Sequence, residues 1–159
     1  MREYMHPLER ARVFSIGTLA DEVEFSVAEY KKGIERISEK EKNSLLAAKG
    51  FLENILNFER NEMGRNGTRI NMGALPRLEL LEASGSITDA WIRSEVPFPK
   101  NDDEFEQELQ AFIQTLESMA TRKSIEEIGR HKVDNIEKLF STLGELALRK
   151  IHVSSLHDR

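Results

Sequence analysis

The chain has 159 residues, with 23 Lys and Arg against 28 Asp and Glu and a formal net charge of −5. That balance disfavours DNA, RNA and anionic membranes as generic partners unless the cations are segregated. There is no cysteine, which removes disulfides, thiolate metal sites and a cysteine nucleophile together. A hydrophobic fraction of 39% beside a charged fraction of 32% predicts a single all-α domain of amphipathic helices with charged outer faces.

No stretch approaches the ~18 apolar residues of a membrane span. The opening Met-Arg-Glu-Tyr-Met-His-Pro lacks the apolar core of a signal peptide, so a cytoplasmic location is the expectation.

Pro7 is suited to a first helical turn, where its missing N–H would have no partner. From residue 8 to about 40 the pattern predicts one long helix. Val13, Ile16, Ala20, Val23, Val27, Tyr30, Ile34 and Ile37 alternate steps of three and four, the seam spacing of a coiled coil. At about 1.5 Å per residue that helix would be roughly 45 Å long, enough to run the full length of a domain this size. Phe14 and Phe25, on the side away from the seam, are either covered by another helix or form an apolar strip for a partner.

A second helix is predicted over about 42–63, with Leu45, Ala48, Leu52, Ile55 and Glu59 at the same spacing and Leu46, Phe51, Leu56 and Phe58 widening the stripe. The segment from 64 to about 101 reads as an irregular connection. Leu78–Ala83 and Ile87–Ser94 are expected to be short helices separated by Ser84-Gly85-Ser86, and Pro97-Phe98-Pro99 forbids helix. A helix over about 102–120 follows, capped from Asn101-Asp-Asp-Glu and carrying Phe105, Leu109, Phe112, Leu116 and Met119. The last helix is expected over about 124–152, with Ser124 and Glu127 at capping-box spacing. Four substantial helices around an irregular middle predict an elongated antiparallel four-helix-bundle-like fold.

Three constellations bear on chemistry. Met63–Leu78 holds Arg65, Arg69 and Arg77 and no acid, so glycine-exposed N–H groups and guanidinium forks there could take a phosphate or nucleic acid. The bland alternative is a connection whose arginines pair with acidic helices. The pairs Glu59/Glu62 and Glu79/Glu82 have the spacing of the Mg²⁺-holding carboxylates in all-α nucleotide pyrophosphatases. The second pair ends in glutamate where that family has aspartate, and such pairs arise readily in a glutamate-rich chain. Glu127 and His131 would share a helix face, but no second Glu-x-x-His unit exists to build a di-iron centre.

A helix-turn-helix laid over 78–94 would have a recognition helix with one arginine against Asp89, too little positive charge to approach phosphates. Trp91, with Ile92, Val96 and Phe98 nearby, is either a small core plug or an aromatic anchor for a partner.

Taken together the sequence predicts no catalytic residue, metal or cofactor. It points to a helical protein–protein interaction module that self-associates or serves as a small subunit of a complex. The arginine loop is the alternative, and the Mg²⁺-dependent hydrolase a more distant one.

Overall fold

The computed structural model describes residues 7–62 and 77–157, with side chains described over 15–60 and 79–150. Among the described residues every regular element is helical. These are α1 (Pro7–Lys32), a 3₁₀ turn (Ile34–Arg36), α2 (Glu39–Glu62), α3 (Arg77–Arg93), α4 (Asp102–Ala120), the single-turn α5 (Ile125–Ile128) and α6 (Arg130–His157). No helix among them is long and apolar enough to cross a membrane.

The long helix expected over 8–40 is corrected: α1 ends at Lys32. Gly33 takes φ 151°, a conformation in which a Cβ is sterically opposed, and a side chain there would also run into the Glu35 carboxylate. The Gly33 N–H bonds the Tyr30 carbonyl at 3.1 Å, tightening the helix end. The chain then reverses and α2 packs back on α1. Ala20, Val23, Val27, Tyr30 and Ile37 of the heptad seam are buried, so the chain's own helices cover the seam. Completely burying an aliphatic side chain of this kind is worth about 1.5–3 kcal/mol.

The most extensive packing is α1 on α6, then α2 on α4, followed by α1 on α2 and α3 on α6; α4 and α6 touch more thinly. The α1–α6 pair runs antiparallel. A Cβ at Gly17 would sit 3.3 Å from Ala147 Cβ, and one at Gly144 would sit 3.4 Å from Ala20 Cβ, so small residues let these backbones approach. Near the other end of the pair, Lys31 Nζ lies 2.6 Å from both Asp134 Oδ1 and Glu137 Oε1. Helices α2 and α4 are also antiparallel, tied by Lys49 to Glu117 at 3.4 Å and by Arg60 to Glu106.

Two further expectations are corrected. The segment from 64 to 101 is not irregular throughout, because α3 continues through Ser84-Gly85-Ser86. Leu80, Ala83, Ile87, Ala90 and Trp91 are buried along one face of it, which outweighs the roughly 1 kcal/mol that a mid-helix glycine costs relative to alanine. The last helix breaks at Gly129, which takes φ 104°. Ser124 caps α5 as its spacing with Glu127 predicts, accepting the Glu127 N–H at 3.2 Å. Asn101 likewise accepts the Glu104 N–H at 2.9 Å at the head of α4.

One end of the bundle is closed by the α4–α5 link. Arg122 donates to the carbonyls of Ile34 at 3.2 Å and Ile37 at 3.0 Å. The Tyr30 hydroxyl donates to the Lys123 carbonyl. Burial, with Glu126 and Glu127 nearby, pushes the Tyr30 phenol up to about 12.

Gly33→Ala should destabilise the protein by about 1–2 kcal/mol. Gly50→Ala, mid-helix with nothing within 4 Å of the new methyl, should stabilise it by roughly 0.5–1 kcal/mol. Urea unfolding of both variants checks the pair, and equal effects would contradict the turn geometry.

The Lys31 cluster gives a second expectation. The hydrogen bond from Lys31 holds Asp134 below the ordinary carboxylate range. For Lys31, burial acts to lower the amine, but its bonds to Asp134 and Glu137 prevail and raise it. The acid's contribution is therefore present above the ordinary carboxylate pKa and is lost as pH falls through the depressed one. The amine's contribution is lost only in strong alkali. Lys31→Met should cost about 0.5–1 kcal/mol at neutral pH for so solvent-accessible a pair, with the difference from the parent shrinking as pH falls from the ordinary carboxylate pKa through the depressed one.

Candidate functional site

Trp91 is 0% exposed, which corrects its role as a surface anchor for a partner. Its ring centroid lies 5.3 Å from Phe98, 5.3 Å from Phe105 and 4.8 Å from Phe112. Its Nε1–H donates to the Pro97 carbonyl at 3.0 Å. The indole therefore joins α3, the α3–α4 loop and α4 into one interior cluster with its polar atom satisfied. Pro97 helps by exposing a carbonyl where helix is forbidden. Ile92, expected beside the indole, instead points to solvent.

The other sequence candidates divide by location. Arg65 and Arg69 lie outside the described residues. Arg77 opens α3, but its side chain, like that of Phe14 on α1, is also outside them. Phe25 is 59% exposed, on a face it shares with Asp21, Glu29 and Lys32, the last two paired at 3.0 Å.

Glu59 accepts a hydrogen bond from the Ser84 hydroxyl, which brings α2 against α3. Glu79 and Glu82 lie on α3, and the Glu62 side chain is outside the described residues. Glu127 and His131 do not share a helix as expected, because Gly129 separates α5 from α6. Among the described residues no three His, Asp or Glu side chains gather where they could hold a metal ion.

The surface feature that sequence patterning missed is on α3. Leu81 is 50% exposed, Ile92 is 57% exposed, and Gly85 between them is open, with nothing within 4 Å of a built Cβ. With Thr88 they fall at steps of four, three and four, one ridge along the helix. Reading 78–94 as two short helices divided by a turn hid it, because positions on either side of a break need not share a face.

Thr88 also lines a cleft of about 300 Å³ with Phe98, Phe105, Glu59, Arg60 and Lys100, and Phe98 at its edge is 41% exposed. Of its charged residues, Glu59 is bonded to Ser84 and Arg60 to Glu106, while Lys100 and Asp102 also line it; its aromatic walls meet the ridge at Thr88. On the flank of the ridge, Arg93 pairs with Asp89 at 2.9 Å.

Among the described residues, the other exposed large apolar side chains are Phe25 on α1, Leu46 on α2 and Leu148 on α6, one to a helix. Single exposed apolar residues are normal for a protein surface. The outer face of α4, with Asp103, Gln107, Gln110 and Gln114, is polar along its length. Apolar surface in a repeating arrangement is thus found on α3.

Trp91→Ala should destabilise the protein by about 3–5 kcal/mol, whereas Phe25→Ala, on the exposed face of α1, should change stability by less than about 0.5 kcal/mol. Thermal unfolding of the two variants measures this, and a Trp91 variant close to the parent would mean that the aromatic cluster is not part of the core. No family model, curated protein or solved structure matches the chain.

Proposed function

We propose that this protein is a cytoplasmic, non-enzymatic helical association module that docks a protein partner on the outer face of α3. The observation that carries the reading is the pair Leu81 and Ile92, both half or more exposed on one ridge with an open Gly85 between them.

Two exposed aliphatic side chains on one 17-residue helix, beside an exposed Phe98, leave apolar area in water that an intermolecular contact would bury at about 25 cal/mol per Å². The gap at Gly85 would admit a side chain or helix ridge from a partner. The charged residues fit an interface rim, where Asp89 and Arg93 stay wet. The absence of cysteine suits a reducing compartment.

Photo-crosslinking in cells tests the reading. Ile92→p-benzoylphenylalanine should give a covalent adduct of higher mass, whereas the same change at Gln107 on the polar face of α4 should give none. Adding Leu81→Glu to the Ile92 variant should reduce the adduct several-fold. No adduct at Ile92, or equal yield at the two positions, would remove α3 as a docking face.

A further inference from the structure

We infer that the cleft between α2, α3 and the start of α4 is a binding site for a small organic ammonium carried on an aromatic or apolar body. The site does not depend on the docking reading above, although Thr88 borders both.

The size and walls of the cleft set the body of the ligand. About 300 Å³ is the lower end of the range for small-molecule sites, room for one ring with a short side chain. Phe98 and Phe105 line it with their ring planes at 66° and centroids 6.4 Å apart, a corner against which an apolar body packs. Behind them the Trp91 ring centroid lies 5.3 Å from each, and its indole N–H is held by the Pro97 carbonyl. The corner is therefore formed before any ligand arrives, as small-molecule sites usually are.

The charges set the sign. Glu59, Asp102 and Glu106 line the cleft with Arg60 and Lys100, and Arg60 pairs with Glu106. Among the described residues no cation pairs with Glu59 or Asp102, and Glu59 gives one oxygen to the Ser84 hydroxyl. Glu59 is half-buried, so its second oxygen is a strong acceptor that water screens less than it would a surface carboxylate. Lys100 is exposed and stays in solvent at the rim.

An anion is opposed here. At the head of α4 the Glu104 N–H is taken by the Asn101 side chain and the Lys100 N–H by Glu104. Asp102, Asp103 and Glu104 fill the first turn and repel negative charge. An ammonium instead meets the Glu59 carboxylate and two aromatic rings, both of which favour positive charge. For a ligand this small, with Phe98 open to solvent, the dissociation constant should be on the order of 1 mM.

The probe is phenethylammonium, with phenylacetate as an anion of similar size, titrated into isotope-labelled protein. Trp91 is the sole tryptophan, so its indole N–H gives one NMR peak beside the loop that walls the cleft. The ammonium should shift this peak saturably, and phenylacetate should bind several-fold more weakly. Glu59→Gln removes the charge while keeping an acceptor for Ser84, and should weaken the ammonium several-fold. Lys100→Gln should not weaken it. Circular dichroism checks that each variant folds, and Asp102→Asn, at an exposed position, tests the charge by a second route.

No saturable shift well above the expected dissociation constant would remove the cleft as a site. Equal affinity for phenylacetate, or an ammonium affinity unchanged in both Glu59→Gln and Asp102→Asn, would overturn its selectivity for cations.

Discussion

The backbone of Gly33 is the constraint on which the rest depends. A run of three-and-four spacing from Val13 to Ile37 would continue as one rod if every residue could stay helical. At φ 151° the chain leaves the helix after Lys32, and the apolar seam that a rod would offer to another coil is turned inward against α2 and α6. The reversal also turns the Ile37 carbonyl, and the Ile34 carbonyl that already accepts the Ile37 N–H at 3.3 Å, toward the α4–α5 link. Arg122 from the far end of α4 supplies both, and Tyr30 supplies the Lys123 carbonyl in return. One unusual dihedral therefore couples the α1–α2 turn to the α4–α5 link, and backbone groups that would be costly to bury unpaired become the attachment between them.

The remaining helices divide their work by side-chain size. Small residues at Gly17, Ala20, Gly144 and Ala147 bring α1 and α6 together, and Lys31 bridges to Asp134 and Glu137 further along the pair. Large aromatic residues gather around Trp91, where α3 and α4 meet the proline-bearing loop. The helix that carries Trp91 inward carries Leu81 and Ile92 outward. With Leu80, Ala83, Ile87 and Ala90 filling its inner face, α3 is apolar on two sides. A helix of that kind is either covered on both or offers one, and among the described residues nothing covers the outer ridge.

Trp91 shows how a single aromatic residue misleads when read from sequence. Phe25 is 59% exposed on a charged face, as the uncovered alternative for it requires, whereas Trp91 is fully interior. The difference lies in what surrounds each position in space. Trp91 has three phenylalanines drawn from the loop and α4, none of which its local helix pattern could supply.

The sequence by itself determined the all-helical class, the registers of α1, α2 and α4, and the caps at Asn101 and Ser124, because these rest on periodicity and hydrogen bonds within a few residues. It also fixed what chemistry a cysteine-free chain lacks. Only the tertiary structure decided that α1 stops before Gly33, that α3 runs unbroken, that the last helix divides at Gly129 and which apolar faces stay exposed. Gly33 and Gly129 break helices while Gly50 and Gly85 do not. The intrinsic penalty of a mid-helix glycine, about 1 kcal/mol, is the same at each, and packing elsewhere in the chain settles the outcome. Likewise, Leu81 and Ile92 became a single surface only once the burial of Leu80, Ile87 and Trp91 held 77–93 in one continuous helix.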